Sequence, residues 1–212
     1  MADDAHHDTP DPAIEDAIAF LRGHLSGTLR FDGDFRPIKV VIAPDGSLVA
    51  SAMVAMIRSV DLTLYLPDEE ESSMHLHVSI DEFTDTGDGA VLADRWRMYH
   101  GDPPDVRWAR LTIDAARFNG LYIDGEALMW QNPLALSEGK ICRTLNTNHG
   151  DLMRAACLTH AQIGIEKPVA VGVDRFGIDV RGAFEIVRLD GHTEIRNESD
   201  AISTLQALAK PR

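Results

Sequence analysis

Apolar residues recur at helical spacing near the start of the chain, and the period then switches to two. Ile14, Ile18, Leu21 and Leu25 predict an amphipathic helix over residues 13–25, with Thr9 or Asp11 available to cap it. Residues 1–12 carry no apolar period and read as a disordered tail. A Gly/Asp-rich link containing Gly27, Gly33 and Asp34 follows. Alternation then predicts strands over Ile38 to Ala43, Leu48 to Ile57, Asp61 to Leu66 and Met74 to Phe83. Pro44-Asp45-Gly46 joins the first two as a turn, and an acidic turn, Asp68 to Glu71, precedes the fourth. In that fourth strand Met74, Leu76, Val78 and Ile80 share one face, and His75, His77, Ser79 and Asp81 the other.

Residues 87–100 read as a helix ended by Gly101-Asp-Pro-Pro, since proline cannot continue it. Two strands are expected over Val106 to Ile113 and Phe118 to Ile123, then a linker over 126–140. The last third predicts a helix that starts near His149, with Asn146, Thr147 or Asn148 as its cap, and runs to Ile163, then a hairpin over Val169 to Arg181 and a closing helix over Glu198 to Leu208. Six short strands, mostly joined by hairpins, indicate an antiparallel barrel, and the remainder a small α+β unit. The fold class is therefore α+β. Edge strands in such barrels need covering, so a homodimer is expected, with Leu48 to Ile57 apolar enough to lie in its interface.

Charge narrows the partners. The chain has a formal net charge of −14, which repels phosphate backbones and anionic lipid, so neither nucleic acid nor a membrane surface is an expected partner. No apolar run reaches the length of a spanning helix, and the acidic start lacks the pattern of a signal peptide, so a cytoplasmic location is expected. Cys142 and Cys157 show no paired metal spacing and read as buried thiols.

Candidate chemistry is sparse. There is no glycine-rich nucleotide loop, no Gly-x-Ser-x-Gly elbow and no Cys/His nucleophile pattern. His149, in Asn148-His149-Gly150-Asp151, stands at a helix start, where it either packs at a junction or ligates a metal or haem. His75 and His77 share one strand face, either as solvent-facing positions or as two metal ligands completed by Glu82, Asp81 or His100. His160 lies about 16 Å along a helix from His149, too far to share one iron. Trp96, Tyr99, His100 and Trp108 interleave with Arg95, Arg97, Arg107 and Arg110. That stretch either caps a core or receives a small planar acidic ligand, with aromatic stacking and arginine forks.

The Asn146 to Leu208 stretch resembles the C-terminal domain of the haem-utilisation and pyridoxamine 5'-phosphate oxidase-like split-barrel proteins. Lys39 to Pro67, Met74 to Phe83, Ala93 to Gly101 and Arg107 to Gly120 resemble parts of the family's barrel. The resemblance implies a truncated split barrel over 13–140, a small α+β domain over 141–212, and haem or FMN as cofactor. In its haem branch it implies a haem-binding and haem-degrading protein. His149 is then the first candidate for the iron and His100 the second, with Arg95, Arg97 and Arg107 on the propionates. In its flavin branch it implies an FMN-dependent oxidoreductase, with Lys39, Ser51 and Arg58 as phosphate candidates. The chain departs from the flavin pattern at Asp68-Glu-Glu-Glu71, which replaces a basic segment and repels a phosphate. A cofactor-free dimeric binding or regulatory protein is the third alternative.

Overall fold

Asp11 opens the first helix: its carboxylate accepts from Ala13 N at 3.0 Å, and Pro12 takes the first helical position, where its missing N–H costs nothing. This computed structural model describes residues 11–210 apart from Val106. Most of the expected tail, with His6 and His7, lies outside those residues. Helix α1 (Pro12–Gly23) buries Ala17, Ile18 and Leu21 against the end of a barrel.

The barrel strands are β1 (Ser26–Phe31), β2 (Asp34–Ile42), β3 (Leu48–Ala52), β4 (Leu62–Leu66), β5 (Met74–Phe83) and β6 (Arg107–Phe118). They form an antiparallel sheet in the order β3-β2-β1-β4-β5-β6, and pairing of β3 with β6 closes the ring. The short β7 (Leu121–Asp124) extends the sheet beyond β6. Alternation fills the interior with Leu29, Leu48, Leu64, Leu76 and Leu111, each fully buried. Helix α3 (Asp88–His100) packs on the outside of β2 and β3, burying Ala93, Trp96 and Tyr99.

Three sequence expectations are corrected here. The Gly/Asp-rich link is strand β1 and its turn. Gly27 sits inside the strand, where a Cβ would stand 2.1 Å from Tyr65 O, so glycine allows β1 to approach β4. Asp32 and Gly33, with φ of +48° and +86°, make the two-residue hairpin turn to β2. The strand expected over Leu48 to Ile57 stops at Ala52, and Val54–Arg58 forms the short helix α2. The strand expected to end at Ile113 runs unbroken to Phe118, and the turn is Asn119-Gly120, with φ of +50° and +78°.

The chain continues through α4 (Gly125–Leu128), α5 (Glu138–Asn148) and α6 (Gly150–His160). Strands β8 (Val169–Asp174), β9 (Gly177–Arg181) and β10 (Ile186–Asp190) form an antiparallel sheet in the order β10-β9-β8, and α7 (Glu198–Leu208) closes the chain. The helix expected to start near His149 is α6, with His149 at its N-cap; Asn146 to Asn148 end α5 instead of capping α6, α6 stops at His160, and β10 adds a strand to the expected hairpin. A core of Ile141, Leu145, Met153, Ile178 and Leu205 lies among these elements. Trp96 of α3 and Val41, Val49 and Trp108 of the barrel meet Val171 of β8 in a further cluster, so apolar packing runs across the junction. The architecture is α+β: a closed antiparallel barrel followed by helices and a three-stranded sheet.

Candidate ligand-binding site

Two histidines are held at the junction between barrel and C-terminal sheet. Helix α3 docks on β2 through Trp96 Nε1, which donates to Lys39 O at 3.0 Å, and His100 Nε2, which donates to Val40 O at 2.9 Å. A carbonyl only accepts, so Nε2 of His100 carries the hydrogen and Nδ1 keeps the lone pair. Burial, helped by the Lys39 charge, pushes His100 below the usual histidine range, against the pull of the Val40 carbonyl. His24 follows α1. Its Nδ1 donates to Phe20 O at 2.7 Å, and its ring stacks on Phe20 with centroids 4.0 Å apart. Nε2 of His24 is therefore the atom with the lone pair.

Beneath them lies a buried ionic network. Arg22 of α1 pairs with Asp174 at the end of β8. Arg188 of β10 reaches Asp174 at 2.7 Å and Asp179 of β9 at 3.0 Å. Tyr99 donates to Asp179 at 2.8 Å, and Arg95 forks onto Glu138 with contacts of 2.8 and 3.0 Å. Three arginines thus face three carboxylates, which is what keeps so many buried charges tolerable. Burial works against a charged Asp174, but Arg188 and Arg22 outweigh it and hold that carboxyl below the usual range. Burial, with the Asp179 charge, pushes Tyr99 upward and keeps it a hydrogen-bond donor.

Above the network opens a cavity of about 600 Å³, within the usual range for small-molecule sites. Its walls include His24, Lys39, His100, Arg181 and Phe184. Arg22 and Arg188 are already paired; Lys39 and Arg181 have no ion pair among the described residues. Arg181 instead donates to Met98 O, near the end of α3. Asp179, itself paired, and Glu185 are the acidic members of the wall. A second cavity of about 590 Å³ shares Ser26, Lys39 and His100 with the first and adds Thr28, Ser51, Trp96 and Asp105.

The sequence candidates therefore separate. Lys39 and His100 meet at the boundary of the two cavities, and Ser51 joins them in the second, where its Oγ accepts from Asp105 N at 3.1 Å. Arg95 is committed to Glu138, Arg97 to Asp85 and Asp94, and Arg107 to Glu82. Arg95 faces a third cleft with Cys142 and Arg143. Arg58 stands at the end of α2 and lines none of these cavities. His149 lies between α5 and α6, where its backbone N–H donates to Leu145 O, and it too lines none of them. Among the described residues no three histidine, cysteine or acidic side chains gather as a metal site, so His75 and His77 find no third ligand. His75 Nε2 donates to Glu70 O at 3.2 Å, and the ring packs edge-on to Tyr65.

His24, Arg181 and Phe184 are members of the site that the sequence does not single out. The one signal for His24 is its position at the close of the first amphipathic helix, four residues after Phe20. Arg181 is visible in the sequence only as the end of a strand, and Phe184 as a loop residue.

No family model matches this chain, and no curated protein does. Its fold is similar to that of the protein Atu2129, of unknown function, from Agrobacterium tumefaciens str. C58, with a TM-score of 0.70 at 18% identity over 95% of both chains. It is more distantly similar to a heme binding protein from Mycobacterium smegmatis, with a TM-score of 0.44 at 20% identity over 95% of this chain and 97% of that one. A structure named for pyridoxamine 5'-phosphate oxidase from Listeria innocua gives 0.39 at 12% identity over 51% of this chain and 99% of that one. The first likeness establishes a shared fold over 95% of the chain. No argument about ligands rests on the other two. Among the described residues no helix is long and apolar enough to cross a membrane.

Proposed function

We propose that this chain is a haem-binding split-barrel protein, and that it holds haem in the cavity between the barrel and the β9–β10 hairpin. One observation carries the reading. His24 and His100 line the same cavity, each with one ring nitrogen spent on a backbone carbonyl and the other left with its lone pair. A ring nitrogen tied to a carbonyl fixes the tautomer and orientation that an iron ligand needs.

His24 is the better ligand of the two. It offers Nε2, the nitrogen farther from its own backbone, whereas His100 has spent Nε2 and retains only the more crowded Nδ1. Lys39 and Arg181 are the cations available to the propionates, since neither is neutralised by a carboxylate among the described residues. Bound haem would supply a redox-active iron; the chain's part is to ligate it, orient it and keep the neutral His100 beside it. Domains meeting near residue 140, with the ligand between them, and a homodimer that covers the barrel belong to the same proposal.

Titration with haemin followed by absorption tests it. The expected result is a Soret band saturating at one equivalent per chain, abolished or shifted in His24→Ala and altered less in His100→Ala. A flavin spectrum on adding FMN, with no haem spectrum, would move the function to an oxidoreductase and to Lys39 and Ser51. No spectrum with either would leave a cofactor-free split barrel. A Soret band lost only in His149→Ala would transfer the iron to the α5–α6 junction.

A further inference from the structure

The connection between β9 and β10 presents an aromatic ring to solvent at the cavity mouth. Gly182 N donates to Glu185 O at 2.8 Å and closes a four-residue turn, with Ala183 and Phe184 at its tip. Phe184 is 98% exposed, and yet it lines the cavity of about 600 Å³. Other fully exposed apolar side chains, such as Val60 and Leu136, line none of the described cavities. A phenyl ring left in water forgoes the free energy it would gain by burial, so its place on this rim calls for a counterpart.

The tip does not dangle. Arg188, on the return strand, is fixed by Asp174 and Asp179, and Arg181, at the end of the outgoing strand, is fixed by Met98 O. The ring is therefore carried on a braced hairpin, on the same cavity as the cations Lys39 and Arg181.

From this placement we infer that Phe184 is a ligand-binding residue that stacks on the face of a flat ring system whose acidic groups are held by Lys39 and Arg181. This deepens the haem reading above and rests on it. It makes the site selective for planar polycyclic acids over non-planar anions of the same charge. Stacking is independent of the iron, because an aromatic face attracts a ring whether or not a metal sits in it.

The test uses metal-free protoporphyrin IX, which has the flat ring and two carboxylates but no iron, so histidine ligation makes no contribution. The chain is titrated and binding is read from tryptophan fluorescence. Wild type and Phe184→Trp are expected to bind alike, with Phe184→Ala weaker by roughly three- to tenfold. Val60→Ala, exposed and remote from the cavity, is expected to match the wild type. Because Phe184 touches solvent on nearly all sides, Phe184→Ala is expected to unfold at the wild-type temperature, so a loss of binding is not a loss of fold. Equal binding by wild type and Phe184→Ala would overturn this inference and leave the haem reading standing. Wild type that binds neither haemin nor the metal-free ring would remove the cavity reading and this inference together.

Discussion

Tyr99 donates to Asp179 Oδ2 at 2.8 Å, tying the last turn of α3 to strand β9 across the junction of barrel and C-terminal sheet. The bond exists because position 172 has no side chain: a Cβ on Gly172 would stand 1.8 Å from the Tyr99 hydroxyl and 2.9 Å from Asp179 Oδ2. Gly172→Ala is therefore expected to destabilise by about 1–3 kcal/mol, the usual cost of overpacking a well-filled site. Tyr99→Phe removes the clashing oxygen at the cost of the bond to Asp179 and of a longer one accepted from Arg95 Nη2 at 3.4 Å, about 1–3 kcal/mol where a carboxylate loses its donor. The double variant should be more stable than the sum of the two losses implies. Urea unfolding of all four proteins measures this coupling, and strict additivity would show that the hydroxyl is not what the added methyl group strikes.

The charge network predicts a sensitivity to acid. Asp174 is held below the ordinary carboxyl range because Arg188 and Arg22 outweigh the penalty of burial. Its native state binds a proton less readily than its unfolded state, so the stabilisation is complete above the unfolded value, near ~4, and is lost as pH falls through the lower native value. Asp174→Asn should flatten that acid limb in unfolding midpoints collected between roughly pH 7 and pH 3. Arg188→Met takes the shared cation from two buried carboxylates, leaving Asp174 to Arg22 and Asp179 to the Tyr99 hydroxyl, and is expected to cost about 3 kcal/mol at neutral pH. A neutral or stabilising Arg188→Met would mean that the network is dispensable to the fold.

Much of this fold is legible in the sequence, and what is not has local physical reasons. The alternation of Met74, Leu76 and Val78 against His75 and His77 predicts β5, because one face is buried and the other is not. Strand β1 is hidden by Gly27, whose role depends on how closely a strand distant in sequence approaches, and by Asp32-Gly33, a hairpin turn easily read as a link. The candidate site is harder. Arg95 stands in an aromatic-basic stretch that suits an acidic ligand, yet Glu138, 43 residues on, has already taken it. Whether a cation is available to a ligand is a tertiary property. Lys39 and His100 stand out in the sequence as candidates, but that they share a cavity with His24 depends on α1 and α3 converging on β2.

His100 adds a second pH effect of the same sign. Burial and the Lys39 charge lower its native value, so the protonated form is favoured in the unfolded chain. Stability from the neutral ring is complete above the unfolded value of ~6.5 and declines as pH falls below it. His100→Gln, which keeps a donor for Val40 O, should lose that decline between roughly pH 6.5 and pH 5. An NMR titration of the His100 ring giving a native value above that of free histidine would sink the prediction.

The two thiols should be silent in the folded protein. Burial pushes Cys142 up to about 12, with the Glu138 charge adding to it, and Cys157 up to about 11. The thiolate is the reactive form, so neither should react with Ellman's reagent within minutes at roughly pH 7.5, and both should react once the chain is unfolded in guanidinium. Fast labelling of Cys142 in native protein would show that the cleft it lines opens readily to solvent.

The outer edge of β8 carries the last prediction. Among the described residues that strand pairs only with β9, so its other side would present unpaired N–H and C=O groups to any passing chain. Side chains occupy them instead. Asn146 of α5 donates to Ala170 O at 3.0 Å and accepts from Ala170 N at 2.7 Å, as a neighbouring strand would. Glu138 accepts from Val173 N at 3.1 Å, and Asn132 donates to Val173 O at 2.9 Å. Asn146→Ala strips both partners from Ala170 and is expected to cost about 2 kcal/mol and to expose an edge that can pair with a second copy. Asn146→Asp keeps an acceptor for the N–H but offers no donor to the carbonyl, so its loss should be smaller at neutral pH. Chemical denaturation ranks the stabilities, and light scattering at increasing concentration reports the edge. If Asn146→Ala is both as stable and as monodisperse as the wild type, the amide is a bystander and the β8 edge is protected by something else.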